Sequence, residues 1–140
     1  HVVGKNPPEV LTSQKCEQVV WHGYLSDEKL AELIAESRVS IAPLRVGGGI
    51  KGKILEALYN GLPVVTTPIG AEGIPVTEAE CRILAADANF AQHLVSFYNN
   101  VQQLDQQACR GYEKVVSYYS AERLRSVFAK IVVELENPTI

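Results

Sequence analysis

The chain has 140 residues and a formal net charge of −3 at pH 7, which is room for one domain with its own core. Apolar residues make up 46% and charged residues 21%, an ordinary soluble balance. The acidic excess excludes a surface-wide footprint for duplex nucleic acid, so no nucleic-acid partner is expected, but it leaves room for a local phosphate site.

Short β-branched runs alternate with longer helical stretches. Residues 1–4 (HVVG) read as a first strand, which Gly4, Asn6, Pro7 and Pro8 break. A short helix is expected over 8–15. Residues 18–22 (QVVWH) read as a second strand closed by Gly23. Ser26 is the N-cap of a helix over 26–37, with Leu25, Leu30, Leu33 and Ile34 at helical spacing. Residues 39–42 form a third strand that stops at Pro43. Gly47, Gly48 and Gly49 lead into a helix over 51–60, ended by Gly61 at the C′ position and by Pro63. A fourth strand covers 63–67 (PVVTT). A loop with Pro68, Gly70, Gly73 and Pro75 then reaches a fifth strand at 82–85. From Asn89 onward the pattern is helical, with breaks near 101–104 and at Ser120. Leu124, Phe128, Ile131, Val132 and Leu135 make an apolar stripe on the last helix.

This alternation implies an α/β fold, a doubly wound parallel sheet with several C-terminal helices. Ligands in such sheets bind at the carboxyl edge of the strands. The loops at 5–8, 23–26, 43–50 and 67–75 are therefore the candidates. Cys16, Cys81 and Cys109 are odd in number and widely spaced. They read as free thiols, buried or half-buried, in a reducing compartment. His1, His22 and His93 stand apart in sequence, without a second ligand at metal spacing, so no metal site is expected. No stretch approaches the ~18 apolar residues of a membrane span.

Residues 43–58 read PLRVGGGIKGKILEAL. Glycines before a helix leave backbone N–H groups uncovered, and the helix N-terminus adds partial positive charge. Lys51 in the first turn opposes that dipole unless an anion comes between them. A phosphate would satisfy all three features, although such turns also serve close packing alone. Gly52 and Glu56 are four residues apart, on one flank of the helix. Ile50, Ile54, Ala57 and Leu58 point the other way, toward the sheet. A carboxylate with clear space above it can accept hydrogen bonds from a vicinal diol such as that of a ribose. Pairing of Glu56 with Lys53 is the competing structural role.

The string GGGIKGKILEALYNGLPVVTTPIGAEGI, residues 47–74, resembles the donor-binding C-terminal domain of GT-B-fold glycosyltransferases. Within that fold it resembles in particular the large retaining group called family 4, the glycosyl transferases group 1. The matching features are Glu56–Ala57 on the helix, Gly61–Val65 (GLPVV) and the Gly70–Gly73 loop. The flanks HVVGKNP, VVWHGYLSDEKLAELIAES and VSIAPLR fit as well, so the similarity runs over residues 1–135.

The resemblance implies a Rossmann-like domain, residues 1–140, that is part of a nucleotide-sugar-binding domain. The parent would be a hexosyltransferase using a UDP- or GDP-linked sugar, with no cofactor and no metal. Glu56 would hold the ribose. The backbone of Gly48, Gly49 and Ile50 would follow the diphosphate and sugar, and Lys51 would contact phosphate or sugar. Tyr24 and Leu25 would lie near the base, and Thr67 and Gly70 would border the pocket. No catalytic residue is assigned. The family's Glu-x₇-Glu pattern has Gly48 in place of its first glutamate.

With no methionine and with His1 at its start, the chain is expected to be a piece of a longer protein. It would lack an N-terminal acceptor domain and the first strand of its own domain. The piece is then expected to be inactive alone, and the parent cytoplasmic or peripheral to a membrane. The strands at 1–4 and 39–42 would flank the vacated position. They are expected to pair directly, or to be bridged by a strand swapped from a second copy in a dimer. A sugar-nucleotide epimerase of the same fold and a non-catalytic flavodoxin-like interaction module are the alternatives.

Overall fold

The computed structural model describes residues 1–7, 9–13 and 16–136. The chain forms two compact units, His1–Glu36 and Ser37–Ile140. The first contains β1 (Val2–Val3), α1 (Glu9–Thr12), β2 (Trp21–Gly23) and α2 (Asp27–Glu36). Its strands are parallel, with Val2 opposite Trp21 and Val3 opposite Gly23. Asp27 and Glu28 stand in the first turn of α2, where carboxylates favour the helix dipole.

The second unit contains β3 (Ser40–Ala42), α3 (Gly52–Tyr59), β4 (Val64–Thr66), α4 (Pro68–Ala71), β5 (Arg82–Ile83), α5 (Phe90–Tyr98), α6 (Val101–Tyr118) and α7 (Ala121–Glu136). Its sheet has the order β3-β4-β5, all parallel. The middle strand β4 is buried at every residue, as a β-branched run covered on both faces should be. Val65, Leu84, Phe97 and Leu104 form one core cluster, with Val39, Phe90 and Leu94 packed against it.

Helix α3 buries Ile54, Ala57 and Leu58, the side that the sequence assigns to the sheet. It ends in a Schellman motif: Gly61 at φ +69° donates its N–H to Leu58, and Leu62 donates to Ala57. Helix α6 crosses α3 at Gly111, where an added Cβ would stand 2.7 Å from Leu58 Cδ2 and 3.1 Å from the Glu80 carbonyl. Buried Cys81 lies in the same region. Burial, reinforced by the nearby carboxylates Glu78 and Glu80, pushes its thiol up to about 12. Cys16 and Cys109 are exposed, which corrects the expectation that all three are at least half-buried. A disulfide reagent such as DTNB is expected to modify Cys16 and Cys109 in the native chain and Cys81 only on unfolding. Prompt modification of all three would contradict this packing.

Several boundaries differ from the sequence reading. The break expected near 101–104 falls earlier, because Asn100 caps α6 by accepting the Gln103 N–H at 3.0 Å. The segment read as loop after β4 contains the one-turn α4, with Thr67 as N-cap and Pro68 in the first turn. Among the described residues, the strands at 1–4 and 39–42 make their ladders with β2 and β4. β1 and β3 belong to different units, and each makes its ladder within its own. The apolar stripe of α7 is real, but Leu124 and Phe128 are 58% and 60% exposed. The side chain of the expected stripe residue Leu135, and residues 8, 14 and 15 of the expected 8–15 helix, lie outside what is described.

Candidate functional site

At the carboxyl edge of the three-stranded sheet, two threonines at the end of β4 tie neighbouring loops together. Thr66 Oγ1 donates to the Ala42 carbonyl at 2.8 Å. Thr67 Oγ1 donates to the Leu44 carbonyl at 2.6 Å and accepts the Gly70 N–H at 3.1 Å. Both side chains are fully buried. The loop after β3 and the turn after β4 are thereby laced into one structure. A third contact is made where Gly73, at φ +77°, leaves room for Ile50: a Cβ there would come within 3.3 Å of Ile50 Cγ1.

The glycine loop at 47–49 rises from this base. Gly47 and Gly49 have φ of +139° and +71°, conformations that favour glycine. Added Cβ atoms at Gly48, Gly49 and Gly52 would meet nothing within 4 Å, so the loop and the first turn of α3 border open space. Lys51 is the N-cap residue of α3 and makes no side-chain capping bond. Its ammonium instead donates to the Gly49 carbonyl and, at 3.5 Å, to the Gly47 carbonyl. The conflict between Lys51 and the helix dipole is thus answered by loop carbonyls.

Glu56 lies one turn beyond Gly52 in α3 and is exposed. The ion pair among the described side chains is Arg82–Glu78 at 3.4 Å, so pairing of Glu56 with Lys53 is not formed. A free carboxylate, an uncovered helix N-terminus and a glycine loop thus share one short segment. Chemically this suits an anion with a neighbouring diol.

The remaining expected site residues are placed as follows. Ile50 precedes α3 and is 54% exposed, so its side chain does not join Ile54 against the sheet. Thr67 and Gly70 are buried and hold the loops in place. Tyr24 and Leu25 belong to the first unit, where the Lys5 ammonium sits 4.8 Å from the Tyr24 ring centroid. Thr66 and the Leu44 carbonyl were not singled out from sequence. The signal for them was the threonine pair closing an otherwise apolar strand.

One further expectation is corrected. His1 and His22, distant in sequence, do not sit alone in the structure, because pairing of β1 with β2 brings His1 Nδ1 within 2.7 Å of His22 Nε2. Among the described residues, no group of three or more His, Cys, Asp or Glu side chains converges.

A family profile described as "Glycosyl transferases group 1" matches residues 1–100. The chain is 29% identical over 106 residues to the "Uncharacterized 44.6 kDa protein in cps region" of Klebsiella pneumoniae, covering 75% of this chain and 27% of that protein. Its fold is similar to that of sucrose-phosphate synthase from Thermosynechococcus elongatus, with a TM-score of 0.75 at 18% identity, over 98% of this chain and 38% of that one. It is also similar to TarM, with a TM-score of 0.73 at 15% identity, over 91% of this chain and 27% of that one. The chain thus spans well under half the length of each of these proteins.

Proposed function

Because the chain belongs to the glycosyl transferases group 1 family, we propose that it is the donor-binding part of a retaining glycosyltransferase acting on a nucleoside-diphosphate hexose. The observation that carries this reading is the unpaired Glu56 carboxylate on the helix that follows the open glycine loop. Glu56 accepts hydrogen bonds from the ribose hydroxyls. The N–H groups of Gly48, Gly49 and Ile50 and the N-terminus of α3 face the diphosphate. As the sugar–phosphate bond breaks, negative charge grows on the leaving diphosphate. Preorganised N–H donors and a helix dipole stabilise that charge without rearranging, so the chemistry requires no metal. The acceptor site and any residue that activates the acceptor belong to the longer parent, and the 140-residue chain is inactive alone. The parent works in the cytoplasm or at a membrane surface; no helix among the described residues is long and apolar enough to cross a membrane.

The test is a binding screen of UDP, GDP, ADP and their common sugars against the ¹⁵N-labelled chain. One nucleotide is expected to shift the amides of residues 48–51 and Glu56 selectively. No shift at these positions with any nucleoside diphosphate would overturn the reading.

A further inference from the structure

We propose that Lys51 acts as the positioning residue of the glycine loop, holding the Gly47 and Gly49 carbonyls toward its ammonium so that the N–H groups that follow them point away from it. This rests on the reading of the loop as a diphosphate cradle. The Lys51 ammonium bonds the carbonyls of Gly47 and Gly49. All described peptide bonds are trans, and in a trans peptide the C=O and the following N–H point in opposite directions. The carbonyls drawn to Lys51 are those preceding the N–H groups of Gly48 and Ile50. These two donors therefore point away from the ammonium, and neither has an acceptor among the described residues. A flexible loop of three glycines would otherwise sample many peptide orientations, with a correspondingly large ordering entropy. One ammonium on two carbonyls selects the orientation in which both free donors point away from Lys51 and stay unpaired.

This differs from a direct contact between Lys51 and phosphate, which would require the ammonium to leave its carbonyls. It also explains a basic residue at the start of a helix, where the dipole disfavours one: the loop carbonyls supply the negative partners.

The experiment compares the wild-type chain with Lys51→Met and Lys51→Arg by ¹⁵N relaxation, free and titrated with inorganic pyrophosphate and UDP. In the free chain, Lys51→Met is expected to move the Gly48 and Ile50 amide resonances and lower their order parameters. Lys51→Arg, which keeps a cation able to bridge two carbonyls, is expected to restore both. With pyrophosphate, Lys51→Met is expected to lose about tenfold or more in affinity, together with the Gly48 and Ile50 shifts. A free Lys51→Met loop with wild-type resonances and order overturns the positioning role, even if its affinity falls, since a direct contact alone explains that. If neither probe shifts any amide of the wild-type chain while Lys51→Met still disorders the free loop, the positioning role stands and the diphosphate reading falls.

Discussion

The Gly70→Ala chain is expected to melt about 10 °C or more below the wild type. A Cβ at this position would stand 1.9 Å from Thr66 Oγ1 and 3.3 Å from Ile54 Cδ1. Neither neighbour can give way easily. Thr66 is fully buried on the middle strand, and its hydroxyl is held by the Ala42 carbonyl at 2.8 Å. Ile54 is 1% exposed. Relief requires either giving up the Thr66 bond or displacing α4. Overpacking of this kind costs about 3 kcal/mol, and each kcal/mol lowers the melting temperature of a domain this size by about 3–4 °C.

Gly52→Ala is the control. Its Cβ meets nothing within 4 Å, so stability is expected to stay within about 0.5 kcal/mol of the wild type, as for other uncrowded surface positions. Thermal melts by circular dichroism decide the matter. Equal melting temperatures for Gly70→Ala and Gly52→Ala would show that the turn after β4 is not clamped by Thr66.

Both glycines stand out equally in the sequence, yet only the structure separates them, and the reason is physical. Local signals act over a few residues. Gly61 followed by Pro63 marked the end of α3, and the buried phase of Ile54, Ala57 and Leu58 followed from helical periodicity. The parallel sense of β3, β4 and β5 followed from strand–helix alternation. The demand for glycine at position 70 comes instead from Thr66 and Ile54, which meet it only in the folded sheet. The same holds for the His1–His22 contact, made across 21 residues by the β1–β2 ladder.

Hydrophobic pattern predicts which face is apolar, not whether a partner covers it. The α7 stripe was legible in Leu124 and Phe128, but its exposure was not. At the candidate site, the residue types around Glu56 were readable from the motif. The attachment of Lys51 to Gly47 and Gly49 was not, because side-chain direction at a helix start depends on loop torsions.

The second large effect concerns Glu56. Glu56→Gln is expected to weaken nucleoside diphosphate binding by about ten- to a hundredfold, since hydrogen bonds to a charged acceptor contribute about 1.5–3 kcal/mol. Stability is expected to change by no more than about 0.5 kcal/mol, because the side chain is exposed and outside the described ion pair. A carboxylate offers two acceptor oxygens and no donor, which matches the two hydroxyls of a ribose. Glutamine keeps one acceptor and places a donor where the second hydroxyl also donates.

This chemistry predicts a coupling that net charge alone does not. Removing the 2′-hydroxyl from the nucleotide should cost the wild-type chain affinity but cost Glu56→Gln much less, so the two losses are not additive. Calorimetric titration of the ribo- and 2′-deoxyribonucleoside diphosphates into both chains measures the four affinities. Wild-type affinity in Glu56→Gln would remove Glu56 from the site. A full loss that is the same for both sugars would leave Glu56 near the nucleotide but not on its ribose.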